Sequence, residues 1–323
     1  MRVAVVGAGV MGCATAWALR ERGADVTVHE QFELDTRRGS SHGRSRIFRI
    51  AYPDPYWIRL AQEAYAGWRD VERASGEELL GLYGLVELGS DSALTSARAL
   101  DECGVAYRLL DADEVRSLGA VLPDGWMALR TDDAGVVFAD RARHAFLDVA
   151  AAEVRTSSRI ESVDELDADA VVVTAGSWIA RLVPGIPVSV TRETLAYFRR
   201  EGPPSPSIVD LNAETGGHGM YSLHDPVHGL KAGAHHAGSA ADPDFDGEPD
   251  TAIVARISAW VRERFPDVDP DPVETDTCLY TMTADESFIL DRRGNVVVGS
   301  ACSGHGFKFA PAVGRRLAAL ALE

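Results

Sequence analysis

The chain predicts an α/β (α+β) fold in which a parallel-sheet domain is interrupted along the sequence by a strand-rich one. Three observations carry this reading. Arg2–Val6, a β-branched run, leads through Gly7-Ala-Gly9-Val-Met-Gly12 into a helical pattern and a second strand. Ala168–Thr174 is an unbroken apolar run, as expected of a strand covered on both faces. Between Pro187 and Leu279 the pattern turns to short strands rich in turn residues, and strand, glycine loop and helix return after Asn295.

Taken in order, the first helix spans about Val10 to Arg22, with Gly23 as its C-terminal cap. The second strand, Asp25–Glu30, alternates Val26 and Val28 with Thr27 and His29. Thr36–Arg49 is polar, arginine-rich and without periodicity, and reads as a loop laid over a ligand. Helical patterns cover about Tyr56–Arg73 and Asp91–Cys103, and Leu110–Leu118 forms a short helix behind Asp111 as N-cap. A helix over Asp140–Ala151 precedes a strand near Glu153–Thr156. Within the strand-rich region a helix is expected at Thr251–Phe265, and Pro203, Pro204, Pro206 and the acidic stretch Ala241–Pro249 read as exposed connections. Strand Asn295–Gly299 and helix Pro311–Leu322 complete the chain. The division this implies gives 1–78, 138–186 and 273–323 to the cofactor domain, and 79–137 and 187–272 to the substrate domain.

At 323 residues the chain suits two domains or one large α/β domain. A net charge of −17 leaves no basic surplus to neutralise phosphates, which argues against a nucleic-acid or anionic-membrane partner. Four cysteines, Cys13, Cys103, Cys278 and Cys302, are too few for a disulfide framework and form no C-x-x-C pair, so no metal is expected and a reducing cytoplasm is. The apolar run Val3–Leu19 superficially resembles a secretory signal, but its glycines and the strand that follows mark it as a buried strand and turn.

The glycines define a dinucleotide fingerprint of the Rossmann type. Gly7 permits the tight turn, Gly9 the approach of backbone N–H groups to a pyrophosphate, and Gly12 the packing of helix on strand. The helix N-terminus faces the anion with free donors. Glu30 lies where an acid accepts hydrogen bonds from ribose hydroxyls. This pattern alone does not separate FAD from NAD. A second signal is the near absence of lysine: of 32 basic residues only Lys231 and Lys308 are lysines, each in an apolar, glycine-rich setting. A compact ammonium with a movable pKa cannot be imitated by guanidinium, which points to function at one or both positions.

The far end of the chain supplies the discriminating motifs. Thr277-Cys-Leu-Tyr-Thr-Met-Thr-Ala-Asp-Glu-Ser-Phe-Ile-Leu-Asp291 and Ser303-Gly-His-Gly-Phe-Lys-Phe309 resemble the monomeric sarcosine oxidase family, which includes N-methyltryptophan and pipecolate oxidases among the D-amino-acid-oxidase-like flavoproteins. Ser40-Ser-His-Gly-Arg-Ser-Arg-Ile-Phe-Arg-Ile-Ala-Tyr52 and Leu230-Lys-Ala-Gly-Ala-His235 match the same pattern, in order along the chain. The resemblance implies FAD, held covalently through Cys278, although a lone cysteine read without it is a small buried side chain. Cys13 and Cys302 read as core packing. The resemblance further implies that Arg49 and Lys308 bind a substrate carboxylate, that Arg46 lies close to the flavin, and that Lys231 promotes the reaction with oxygen. His235 would sit beside the substrate amine, and Tyr221 and Tyr280 in the pocket wall; His236 and His305 have weaker claims. The cofactor set expected from fingerprint and resemblance together is Gly7, Gly9, Val10, Met11, Gly12, Glu30, Ser41, His42, Arg46, Val154, Ala175, Gly176, Trp178, Cys278, Gly304, Gly306, Phe307 and Lys308.

Departures from the family pattern fall in the pocket: Ser41 and Ile50 stand where histidines can occur, the segment between Ile160 and Ala168 is short, and the chain stops at Glu323 without the usual tail. The expected activity is oxidation of the C–N bond of a secondary-amine amino acid, such as sarcosine, another N-methyl amino acid or a cyclic imino acid. Hydride goes to FAD, and O2 is reduced to hydrogen peroxide. The expected partners are therefore a small amino acid and O2, with a monomer implied by the resemblance. The rivals are an FAD-dependent dehydrogenase with another acceptor, an NAD-dependent reductase, which leaves the C-terminal motifs unexplained, and a non-catalytic nucleotide- or amino-acid-binding protein.

Overall fold

The computed structural model describes residues 1–211 and 219–323, and the backbone is organised by three sheets. The first has six strands in the order Ile289–Arg293, Val296–Ser300, Ala170–Val173, Arg2–Val6, Asp25–His29, Glu153–Arg155. Val5 pairs in parallel with Val172 on one side and Val28 on the other, and Val172 in turn with Val297. Only the outermost hairpin, Ile289–Arg293 with Val296–Ser300, is antiparallel. Strands from the beginning, middle and end of the chain thus share one sheet, as the sequence predicts. The fold is a mixed α/β architecture.

Helices cover this sheet. Val10–Glu21 and Ala310–Leu322 lie in contact because Gly314 has no side chain: a Cβ there would come within 2.6 Å of the Ala14 carbonyl. Trp17, Leu19, Phe146, Val313 and Leu317 are fully or almost fully buried in the layer between. The helix Pro55–Ser75 starts behind Asp54, whose carboxylate accepts from Tyr56 N, and ends at Gly76 in the left-handed conformation.

The larger sheet runs Ser239–Ala240, Ser189–Arg199, Gly229–Ala234, Met220–Asp225, Ser207–Asp210, Leu85–Gly89, Met127–Thr131, Arg108–Leu110. Helix Thr251–Arg264 packs Ile253, Ile257 and Trp260 on one face of it, against Ala196, Phe198, Leu230 and Ala232. Strand Glu274–Met282, which carries Cys278, also belongs here, pairing along its whole length with Ser189–Arg199. Sequence alone groups that strand with the C-terminal cofactor segment, because proximity along the chain says nothing about its pairing partner. A third, small sheet joins Arg46–Phe48, Gly135–Val137 and Leu80–Gly81.

The expected helices form with ends shifted by a residue or two, and Asp111 caps Ala112–Ser117 in a reciprocal capping box with Glu114. Three expectations need correction and a fourth an addition. The segment Thr36–Arg49 is not loop throughout: Arg46–Phe48 is a strand, too short to show a period. Pro206 is buried rather than exposed. The stretch Ala241–Pro249 is exposed over most of its length, as expected, but it is also tied down: Asp244 accepts from Trp178 Nε1 (2.7 Å) and from the Arg181 guanidinium. Cys302 is half-buried on a cavity wall rather than in the core, whereas Cys13 is fully buried and donates to Ala8 O. Among the described residues, no helix is long and apolar enough to cross a membrane.

Candidate active site

One cavity of about 470 Å³ runs between the two larger sheets, from the first glycine turn to Lys308. One end is built where the strand Arg2–Val6 runs into the glycine turn. Gly7, at φ +101°, turns the chain sharply, and a Cβ there would sit 2.7 Å from Thr174 O. A Cβ at Gly12 would sit 1.8 Å from Gly7 O, so helix and turn can close only on glycine. Gly12 therefore acts by packing and does not itself line the cavity. The helix it belongs to has Gly9 as N-cap, without a capping side chain, and no acid in its first turn. Ser41 Oγ accepts from Val10 N at 3.0 Å.

Glu30 closes this end, its carboxylate oxygens accepting from Ala8 N (2.7 Å) and Phe32 N (3.0 Å). Met11, Ala175, Gly176 (φ +51°) and Trp178 complete the walls. A helix N-terminus whose N-cap is glycine, a cradle that a Cβ would fill and a fixed carboxylate fit a dinucleotide: the pyrophosphate against the helix N-terminus and a ribose beside Glu30. Val154 is not among the lining residues; it sits in the edge strand, paired with Val28.

The other end gathers Lys231, Arg46, Arg49 and Lys308. Lys231 lies mid-strand, 2% exposed, and donates from Nζ to Ser45 O at 3.1 Å, with the Tyr197 ring centroid 5.6 Å away. Burial, reinforced by Arg46, lowers its ammonium to about 7. Arg46 donates to the carbonyls of Ser40, His42 and Ser45, which fixes the preceding loop, and stands 5.9 Å from the Phe307 ring. Arg49 and Lys308 both approach a single buried ring, Tyr52, at 4.0 Å and 5.7 Å from its centroid. Lys308 Nζ donates to His305 O at 2.6 Å, and burial lowers its pKa.

Neutral rings stand around these cations. His235 stacks on His236 with 3.8 Å between centroids, and its Nδ1 is 3.4 Å from Tyr280 Oη. Burial, then His236, pushes His235 well below the usual histidine range, so the ring is neutral. Burial likewise raises Tyr221 and Tyr280 and holds His305 at about 3. His42, 4% exposed, is pushed down to about 3 by burial and Arg46. Gly304, at φ +71°, lets the chain pass the rings of Tyr280 and His235, which a Cβ would meet at 2.5 and 2.6 Å. Gly306 is forced by the Ala301 carbonyl, 1.7 Å from a Cβ.

Cys278, 6% exposed, lines the same cavity. Burial pushes its thiol up to about 11, while Arg46 and Lys231 pull the other way and are the charges available to favour a thiolate.

The cavity thus collects all the expected site residues except Gly12 and Val154. Sequence reasoning missed others. Glu87 reaches Arg49 from behind the cavity at 3.3 Å. Its signal was an acid inside the apolar run Leu85-Val-Glu-Leu-Gly89. Tyr52 stood in a quoted motif without a role, and nothing in the sequence marks Glu286 as the partner of His236 at 3.4 Å. Among the described residues no group of three or more His, Cys, Asp or Glu is placed to hold a metal ion.

The FAD dependent oxidoreductase family matches residues 2–320. The peroxisomal sarcosine oxidase of Homo sapiens is 32% identical over 356 residues, spanning 99% of this chain and 91% of that protein. The monomeric sarcosine oxidase of a Bacillus species is 28% identical, spanning 99% and 92%. The open-form crystal structure of NikD, described as an unusual amino acid oxidase essential for nikkomycin biosynthesis, superposes with a TM-score of 0.87 at 26% identity, covering 99% of this chain and 93% of that one.

Proposed function

Since the chain belongs to the FAD-dependent oxidoreductase family, with sarcosine oxidases among its homologues, we propose that it oxidises the C–N bond of a secondary-amine amino acid and delivers the electrons to O2. Sarcosine, another N-methyl amino acid or a cyclic imino acid is the substrate, and hydrogen peroxide is the reduced product. The observation that carries this reading is that Arg49 and Lys308 both approach the Tyr52 ring, at 4.0 and 5.7 Å from its centroid, and line the same cavity as the glycine cradle. Two cations converging on one anion fix a carboxylate in position and orientation, and the arginine can do so bidentately.

Bound in this cavity, FAD supplies a two-electron acceptor for the hydride of the substrate and a donor for oxygen. The chain's residues prepare that chemistry. Gly7, Gly9 and the helix N-terminus hold the pyrophosphate, and Glu30 the ribose. Arg49 and Lys308 anchor the carboxylate, which leaves the amine towards His235. Being neutral, His235 has a ring nitrogen free to accept the amine proton or a hydrogen bond from it. Lys231 places a buried cation where negative charge develops on oxygen. Cys278 would hold the flavin through a thioether, with Arg46 and Lys231 as the charges that favour its thiolate and O2 as the oxidant that takes up the two electrons released when an S–H and a flavin C–H bond give way to the S–C bond. Four free cysteines and the homologue described as monomeric support a cytosolic monomer.

The test is the visible spectrum of the purified protein followed by acid precipitation and a screen of secondary amines for peroxide release. Yellow colour retained in the pellet, a matching mass shift on the Cys278 peptide, and peroxide from an N-methyl or cyclic imino acid are expected. Colour released into the supernatant overturns the tether. A flavin that amines reduce but oxygen leaves reduced overturns the oxidase assignment.

A further inference from the structure

Among the described residues, Glu87 is the one wholly buried carboxylate that meets the proposed carboxylate site. It lies mid-strand in Leu85–Gly89, with Val209 opposite on one neighbouring strand and Leu129 on the other, and its exposure is 0%. Oε1 is 3.3 Å from Arg49 Nη1, and Oε2 has no hydrogen-bond partner. The helix Asp91–Glu102 turns the Ser96 hydroxyl towards it. Among the described residues Arg49 is therefore the charge that faces it, and Arg49 in turn faces Tyr52. A carboxylate in such a place is stabilised by that one guanidinium and by little else.

We infer that Glu87 and the carboxylate of the substrate compete for Arg49, so that binding the substrate is coupled to uptake of one proton by Glu87. This rests on the reading of Arg49 as a carboxylate anchor. Arg49 lines the cavity while its Nη1 reaches back to Glu87, so a bound anion and Glu87 share one guanidinium. Two carboxylates on one cation cannot both stay charged in a buried site, and the pKa of one rises. The ligand is the less buried of the two and has Lys308 as a second cation. Glu87 has neither advantage, and burial already holds it above the ordinary carboxylate range. The proton comes from solvent or from the ammonium of the incoming substrate, and no bond other than O–H changes.

The sign follows from linkage: a proton taken up on binding makes affinity fall as pH rises. Glu87 is a positioning residue, acting on the substrate through Arg49, and its signature is a pH slope and a proton count. The probe is propionate, a carboxylate without an amine, bound to the FAD-loaded protein. Binding is followed through the flavin spectrum and by titration calorimetry in two buffers of different ionisation enthalpy. In the wild type, affinity should fall by up to about tenfold per pH unit once the pH exceeds the raised pKa of free Glu87, with close to one proton taken up per ligand. Glu87→Gln keeps the shape and an acceptor for Arg49 but cannot charge. It should bind propionate roughly tenfold more tightly at pH 8 and lose the steep part of the slope and the proton uptake. Titration of Lys308 is common to both proteins and cancels in the comparison.

An unchanged slope and proton count in Glu87→Gln would overturn the coupling, as would a wild-type proton count near zero, which needs no variant to fold. Arg49→Ala separates the two ideas. Unaltered propionate affinity in that variant removes Arg49 from the carboxylate site and takes the coupling with it. Loss of binding there, with no change in Glu87→Gln, overturns the coupling alone.

Discussion

At the scale of single residues, the site depends on ammonium groups placed where water cannot solvate them. Lys231 is the extreme case, with a single hydrogen bond to the Ser45 carbonyl and a pKa of about 7 against an ordinary lysine value of 10.5. Its charge is present below about 7 and is lost as pH rises through that value. If this charge stabilises reduced oxygen, reoxidation of the reduced flavin should slow between pH 6 and pH 8, whereas Lys231→Met should be slow throughout. Removing one such electrostatic donor slows a reaction by roughly 100-fold. Stopped-flow mixing of the reduced enzyme with oxygen measures this, and a rate independent of both pH and the substitution would remove Lys231 from the oxygen step. Stability should move the opposite way. The unfolded chain binds this proton more tightly than the folded one, so Lys231 costs stability at and below pH 7 and less as pH climbs towards 10. Lys231→Met should therefore raise Tm at pH 7 while it lowers activity.

At the scale of elements, glycines set how closely strand, turn and helix approach, and not all of them do the same work. Gly12 is packed by its lack of a side chain, with Gly7 O at 1.8 Å from where a Cβ would stand. Gly12→Ala has to push the first helix off the turn, an overpacking cost of about 1–3 kcal/mol, and it moves the N–H donors meant for the pyrophosphate. The expected result is a protein of lowered Tm purified almost free of flavin, read from the ratio of visible to ultraviolet absorbance. Gly23 makes the contrast. It sits at φ +78° with nothing within 4 Å of a Cβ, so Gly23→Ala meets only backbone strain of about 1 kcal/mol. Its flavin content should be unchanged. Equal flavin in both variants would show that the turn, as built around Gly12, does not hold the cofactor.

At the scale of the whole molecule, what was legible in the sequence is what local chemistry encodes. The glycine spacing, the apolar strands and the caps at Asp111 and Gly23 are each decided within a few residues, and they fix the parallel sheet and the cofactor end of the site. Pairings across long separations are not written locally. Nothing near Cys278 announces that its strand pairs with Ser189–Arg199, and nothing in the acidic stretch announces that it crosses to Trp178 beside the parallel sheet. That crossing has a consequence of its own. Asp244 accepts from Trp178 Nε1 at 2.7 Å and from Arg181, Asp242 accepts from Arg181 at 2.8 Å, and Arg38 donates to the carbonyls of Pro243 and Asp244. Trp178, Arg181 and Arg38 all line the cavity, so this strap ties the strand-rich part over the place expected for the dinucleotide. Each surface ion pair contributes below about 1 kcal/mol, but the contacts act on one short segment and open together. Asp244→Ala should leave the fold intact and loosen the cover. With Cys278→Ala in both proteins, so that the flavin is not tethered, FAD should dissociate on dilution roughly tenfold faster when Asp244 is replaced, an effect of about 1.4 kcal/mol. Recovery of free-FAD fluorescence measures that rate. Identical rates would mean that the strap joins the two sheets without covering the cofactor, and that retention rests on the glycine turn alone.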